Sequence, residues 1–388
     1  MKQFATLVTS ICLVCLSTAA VAQDVEIVNL RVGQGDSTLI LGPPDSAGKR
    51  VAVLFDAGDE AEAGDRFDGA RIIGTVLARR GIKALDYVIV SHYDVDHIGG
   101  LAAGGNHGAG LLLGRNQTPG AVGDDDGDGD DGWVGTPFYE PDREEIGKGD
   151  DIPVRFFVDR GDAPASTTQA YKKYRALAES MGTRVSLDTQ SKVNSYAIDL
   201  GGGAVMTALA GNGFVRGRSA PVPNVTTENE RSLSFLLAYR DFHYLISGDM
   251  IGRTFGNEDA RVENAVGDVI AAMGITVDVL HVDHHGANNG SDAAFLEKIK
   301  PTIAVISSGN GNDHHHPHKE TLQRLEAAKV YRIVQTAWGT TEDVMPLAVR
   351  NVQAIYQSDV IITSDGSTFT LSTSRTFKTD KNPRRETP

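Results

Sequence analysis

The sequence predicts an α/β fold of two β-rich layers flanked by helices, and three patterns carry that expectation. The first is a run of short strands near the start. Residues 25–32 alternate partly, turn at Gly33 and Gly35, and continue into β segments at 37–41 and 51–55. The second is another β-rich set at 194–200, 204–209, 233–239 and 242–246. The third is an alternation of helix and strand through the second half: helices at 262–273, 292–299 and 319–328, strands at 277–282, 302–307 and 331–335. Between the first strands and residue 87, Ile72, Ile73, Val76 and Leu77 recur at helical spacing over 70–80, as a helix packed outside a sheet requires. An apolar strand, Tyr87 to Val90, follows it.

The bulk properties bound the reading. A chain of 388 residues, 40% hydrophobic and 23% charged, is ordinary globular material. Residues 1–22 carry a lysine near the start, an apolar run from Phe4 to Leu16, and small residues up to Ala22. They read as a secretory signal peptide, which predicts a secreted or periplasmic protein with no stable membrane span after processing. Both cysteines, Cys12 and Cys15, fall inside this segment, and Val14 stands where a lipoprotein needs a small residue. The mature chain is then cysteine-free, so any metal must be held by His, Asp, Glu or backbone oxygen. The net charge of −14 gives no long-range attraction to nucleic acid, so nucleic acid is a partner that charge does not favour. The expected domain is 23–373, with a Gly/Asp-rich insertion at about 104–151, a surface helix at 171–181, and a disordered tail at 374–388.

The densest chemistry lies directly after the strand at 87–90, in His92-Tyr93-Asp94-Val95-Asp96-His97-Ile98-Gly99-Gly100. Four potential metal ligands stand within six residues. In an extended loop His92 and Asp94 project to one side, which lets them meet one cation while Asp96 and His97 turn to a second. Imidazole with carboxylate suits Zn²⁺ foremost, and also Mn²⁺ or Fe²⁺. Asp249 follows a strand and the turn Ser247-Gly248. His284 and His285 end another strand before Gly286, and one of them should complete the second cation's donors. On an extended chain the other points away, toward substrate or a supporting carboxylate such as Asp283. His314, His315, His316 and His318 precede a helix. From a position near the site, His316 or His318 could hold a substrate oxyanion or protonate a leaving group; a solvated histidine cluster is the competing reading. Asp124, Asp126 and Asp128, followed by Gly129, partly match a Ca²⁺ loop, although Gly135 stands at the closing position, and a solvated acidic loop fits as well. His107, His243 and His281 are assigned no role, and Arg160-Gly161-Asp162 is treated as a chance match to an adhesion tripeptide.

These motifs resemble the metallo-β-lactamase superfamily, whose His-x-His-x-Asp-His signature is matched with Asp94 in the second place. The variant is similar to the hydrolase domain of competence (ComEC-type) DNA-uptake proteins. Those carry a comparable Val-Gly-Gln-Gly-Asp-Ser segment, here Val32 to Ser37, followed by Asp56-Ala57-Gly58, Ser247-Gly248-Asp249, His284-His285-Gly286 and His316-Pro317-His318. The resemblance implies a metallo-β-lactamase-like αββα sandwich with two divalent metal ions, Asp249 bridging them and Asp96 and His97 on the second. It also implies hydrolysis by a metal-activated hydroxide, with a small or extracellular phosphoester, in particular a phosphodiester, as the expected substrate. The transport role of the competence proteins, which join this domain to a membrane channel, is not carried over. The family's further histidine ligand is absent: residues 108–242 contain no histidine, and Asn229 stands in the corresponding place, with Glu228 and Glu230 as less specific candidates. The alternatives are a lactone- or β-lactam-type metallo-hydrolase, and a non-catalytic extracellular binding module stabilised by metal or Ca²⁺.

Overall fold

Alternation along the first strands decides how the layers stack. In the computed structural model, which describes residues 24–59, 69–102, 111, 152–181, 183–252, 262–309, 312–337, 339, 353–355, 358–371 and 376–378, the first half forms one sheet. Its elements are β1 (Val25–Asn29), β2 (Thr38–Leu41), β3 (Ala52–Phe55), α1 (Gly69–Arg79), β4 (Leu85–Ile89), α2 (Val95–Ala102), β5 (Val154–Asp159), α3 (Gln169–Met181) and β6 (Thr183–Ser186). β1, β2 and β3 pair antiparallel, and β3, β4, β5 and β6 continue in parallel. Leu39, Leu54 and Val88 face outward, toward Ile73 and Leu77 of α1. Their neighbours Ile40, Val53, Phe55 and Ile89 face inward. Both faces of β2 and β3 are therefore buried, which is why they read as continuous apolar runs.

The second half repeats the scheme. It comprises α4 (Gln190–Ser195), β7 (Ala197–Gly201), β8 (Ala204–Gly211), β9 (Phe214–Val215), β10 (Ser234–Tyr239), β11 (Phe242–Ser247), α5 (Val262–Met273), β12 (Val279–His281), α6 (Ala293–Ile299), β13 (Ile303–Ile306), α7 (Lys319–Ala327), β14 (Arg332–Gln335) and β15 (Gln353–Ile355). Phe235, Leu237, Tyr244, Ile246, Val279, Ile303 and Val305 turn inward and share one apolar cluster with the inner residues of the first sheet. Leu236, Leu245, Leu280 and Ala304 turn outward with Val266, Phe295 and Leu322 of the helices. The result is the expected mixed α/β arrangement: helix layer, sheet, sheet, helix layer.

Three features depart from the sequence reading. Helix α3 is not a surface appendage, because Tyr171, Tyr174, Leu177 and Ala178 join the outer cluster of the first sheet. β5 and β6 extend that sheet through a region whose motifs are silent, and β16 (Val360–Ser364), β17 (Thr368–Leu371) and β18 (Thr376–Lys378) close it from the other end by pairing β16 with β1. Thr376–Lys378, expected within a disordered tail, pairs antiparallel with β17, since a neighbouring strand's edge supplies hydrogen bonds that a polar tail does not announce. Residues 1–22, expected to be a signal peptide, His107 and the acidic stretch with Asp124, Asp126 and Asp128 lie outside the described residues.

Close backbone approach joins the first motif to the helix that follows the second. Gly35 has φ +103°, and a Cβ there would meet the Asp96 carbonyl oxygen at 2.0 Å. Asp36 N–H donates to that same carbonyl at 3.2 Å, and Gly58 N–H to the Asp36 carbonyl at 2.8 Å. Gly35→Ala should cost about 3 kcal/mol in urea unfolding, from strain plus overpacking. Gly81→Ala, at φ +65° with open space around it, should cost only about 1 kcal/mol; equal losses would contradict the contact argument.

Candidate metal centre

The centre forms where chain segments leave the ends of β4, β11 and β12. After β4 the chain passes through Ser91 to Asp94 and enters α2, so Asp96 and His97 sit in a helical first turn and not in an extended loop. His92 and Asp94 lie before the helix, and Asp96 and His97 lie inside it. Gly248 lets the turn after β11 lie on this loop: a Cβ there would meet Ser91 Oγ at 2.2 Å. Asp249 then enters the site with its side chain 5% exposed.

The two carboxylate oxygens of Asp249 face different groups. Oδ1 lies 3.1 Å from His97 Nε2 and 3.4 Å from His285 Nε2, and His285 Nε2 is 3.3 Å from Asp96 Oδ2. Oδ2 lies 3.9 Å from His92 Nε2 and 3.6 Å from His284 Nε2, and His92 Nε2 is 3.5 Å from Asp94 Oδ2. Donors held about 2.1 Å from a tetrahedral cation stand about 3.4 Å apart, so both groups have the right spacing. Nε2 of His92, His97 and His285 and Oδ1 of Asp249 are buried without a hydrogen-bond partner. Buried polar atoms are rarely left so, and a cation would satisfy them. The donor set therefore fits divalent metal.

Each imidazole is oriented from behind. His92 Nδ1 is 3.0 Å from Ser91 Oγ, His97 Nδ1 2.8 Å from Asp56 Oδ2, His284 Nδ1 2.8 Å from Asn289 Oδ1 and His285 Nδ1 3.2 Å from the Ser307 carbonyl. An oxygen at Nδ1 favours the proton there and leaves the Nε2 lone pair facing the site. Asp283, expected behind this pair, is instead buried beside Glu263, and burial followed by the Glu263 charge pushes its carboxyl well above the usual range. Burial alone would lower His97 and His285, but the carboxylates outweigh it. Asp249, Asp96 and Asp56 hold His97 well above the ordinary imidazole value, and Asp249, Asp36 and Asp96 raise His285 to about 10.

The remaining candidates separate clearly. Asn229 Nδ2 lies 3.3 Å from His284 Nε2, at the rim. Glu228 is taken by Arg160, at 2.6 Å to each of two guanidinium nitrogens, and accepts Tyr93 N–H at 2.9 Å. Arg160 is thus a buried anchor. Glu230 caps its own turn by accepting the N–H of Thr226 and Thr227. His316 is buried with its ring centroid 5.8 Å from His285 and 5.4 Å from His284, and His318 follows at 5.1 Å from His316. His314 and His315 are exposed. His243 Nδ1 lies 3.9 Å from Asp278 Oδ2.

Two carboxylates passed over as donors belong here. One ligand atom from each of Asp36, His97, Asp249 and His285 lies within 4.8 Å of every other, and all four residues are buried. Asp36 Oδ1 is also 3.3 Å from His281 Nε2, which brings that histidine against the cluster's rear. Asp56 accepts Ser91 N–H at 2.7 Å and Ser91 Oγ–H at 2.6 Å as well as His97. Both sit inside quoted motifs, and a carboxylate beside glycine at a strand end was the available signal.

Residues 30–109 match a family model described as the Metallo-beta-lactamase superfamily. The chain is 24% identical over 331 residues to ComE operon protein 3 of Bacillus subtilis, covering 83% of this chain and 32% of that protein. Over 53 residues it is 38% identical to Recombination protein 2 of Haemophilus influenzae, 14% of this chain and 7% of the relative. It therefore spans about a third of the first relative's length and far less of the second's. Among solved structures, Tm1679, a metal-dependent hydrolase of the beta-lactamase superfamily, aligns with a TM-score of 0.40 at 13% identity, covering 80% of this chain and 95% of that one. Motif series and matched segment agree in what the chain is similar to: residues 30–109 match the metallo-β-lactamase superfamily, and the longer alignment resembles the competence-protein branch.

Proposed function

We propose that this chain is a metal-dependent hydrolase of phosphoesters, phosphodiesters foremost, working outside the cytoplasm with two divalent cations, Zn²⁺ above Mn²⁺ or Fe²⁺. The division of Asp249 between two donor groups is the observation that carries the reading. The resemblance of the motif series to competence-type hydrolase domains favours the phosphoester class, and an oxygen-rich donor set suits an anionic phosphoryl group. A net charge of −14 weighs toward small substrates over long nucleic acid. The leader-like residues 1–22 support export, and among the described residues no helix is long and apolar enough to cross a membrane.

Divalent cations held by His92, Asp94, Asp96, His97, Asp249 and the His284/His285 pair would supply Lewis acidity toward a phosphoryl oxygen and would acidify bound water. The chain's own residues shape what that chemistry meets. Asp94, with its side chain 45% exposed, marks the open side from which substrate arrives. His97, Asp249 and His285 form the buried floor. His316 is neutral there, because burial and then the charges of His285 and His284 lower its pKa to about 2. It suits a hydrogen-bonding role toward a substrate oxygen better than proton delivery. Asn312 holds the His316 backbone, donating to its carbonyl and accepting its N–H, both at 2.8 Å. His318 Nδ1 accepts the Asn288 N–H at 3.0 Å, which ties the two loops at the rim.

Purified protein loaded with Zn²⁺ or Mn²⁺ should hydrolyse bis-p-nitrophenyl phosphate in preference to nitrocefin or a lactone. Asp249→Asn should reduce kcat/KM at least about 100-fold while the fold persists by circular dichroism. Metal bound without turnover of any ester would end the enzymatic reading and leave a binding module. Chelation should lower the melting temperature, and metal at about a hundredfold over its Kd should restore about 2.7 kcal/mol.

A further inference from the structure

We propose that His284 supplies a donor to the first cation, in the place of the imidazole missing upstream, so that the adjacent histidines serve one cation each. This rests on the two-cation reading above. Between residues 108 and 242 the chain has no histidine, which leaves His92, Asp94 and Asp249 as the donors the sequence assigns to that side. His284 Nε2 closes the gap. It lies 3.6 Å from Asp249 Oδ2, the oxygen that His92 also faces, whereas His285 Nε2 lies 3.4 Å from Oδ1 and 3.3 Å from Asp96.

The local backbone is built for this division. His284 has φ 52°, ψ 47° and His285 φ 52°, ψ 17°, two consecutive non-glycine residues in the left-handed region. On an extended strand adjacent rings would point to opposite faces, and only one would reach Asp249. The left-handed turn brings both Nε2 atoms to the same carboxylate while keeping the ring centroids 6.3 Å apart. Such strain in residues with a Cβ clusters at functional sites. Asn289 Oδ1, 2.8 Å from His284 Nδ1, accepts a proton held there, and Asn229 Nδ2 at 3.3 Å faces the lone pair left on Nε2. A ring serving only to pack would not need its Nε2 turned toward a buried carboxylate.

The test is calorimetric titration of the metal-free full-length protein with Zn²⁺, alongside visible absorption with Co²⁺. The wild type should bind two cations. His284→Ala and His92→Ala should each weaken the same cation at least about tenfold, the His92/His284 double variant should lose no further cation, and His285→Ala should weaken the other. Asn289→Leu, which leaves both imidazoles in place, should weaken the first cation about tenfold, and it serves as the decisive variant if His284→Ala does not fold. A wild type that binds fewer than two cations would defeat the two-cation reading itself. Two cations in the wild type with affinities unchanged in His284→Ala, or in Asn289→Leu, would overturn the assignment of His284 alone.

Discussion

Asp249 is a carboxylate buried among other carboxylates, and the arrangement of the surrounding protein answers that electrostatic cost. Asp36, Asp56 and Asp96 lie with it around one small volume at the ends of both sheets. Ionised acids held this close and away from water are tolerated only when positive charge or strong donors face them. Imidazoles drawn from both halves of the chain face them here, and the charges hold Asp249 well below its usual range even though burial alone would raise it. Bound cations would answer the same charge more completely, which is why the same geometry reads as a metal centre.

That requirement explains where the chain departs from regular backbone. Asp56, His284 and His285 adopt positive φ without being glycine. Glycines stand where loops must touch, at Gly35 against the Asp96 carbonyl and at Gly248 against Ser91. Two packed sheets with a shared apolar interior provide the rigid frame that makes such strain affordable. The Arg160–Glu228 pair extends the frame, because it fixes the turn bearing Asn229 to the backbone of Tyr93, between His92 and Asp94. The Arg160 guanidinium lies 4.3 Å from the Tyr93 ring centroid, so that arginine packs against the loop that bears His92 and Asp94.

Much of the site was legible because metal ligation is a local demand on residue type. His92, Asp94, Asp96 and His97 are near neighbours in sequence, and Asp249, His284 and His285 each follow an apolar strand, so periodicity alone placed them at sheet ends. Helix α5 is legible to its last residue for a similar reason, since its apolar stripe is long and unbroken. Asp36 and His281 were less legible. Asp36 stands in the glycine-rich segment 32–37 with only the neighbouring glycine to mark it as a donor, His281 reads as an isolated polar residue in a strand, and their meeting at 3.3 Å shows that both belong to the cluster.

Residue type and periodicity by themselves determined the α/β class, the apolar faces and the donors available to a cation, because each depends on side chains a few positions apart. Tertiary structure alone decided which oxygen of Asp249 each histidine meets, that β16 to β18 close the first sheet against β1, and that Asp36 joins the cluster. Those outcomes depend on segments far apart in sequence approaching to within a few ångströms, and a local pattern holds no information about that approach.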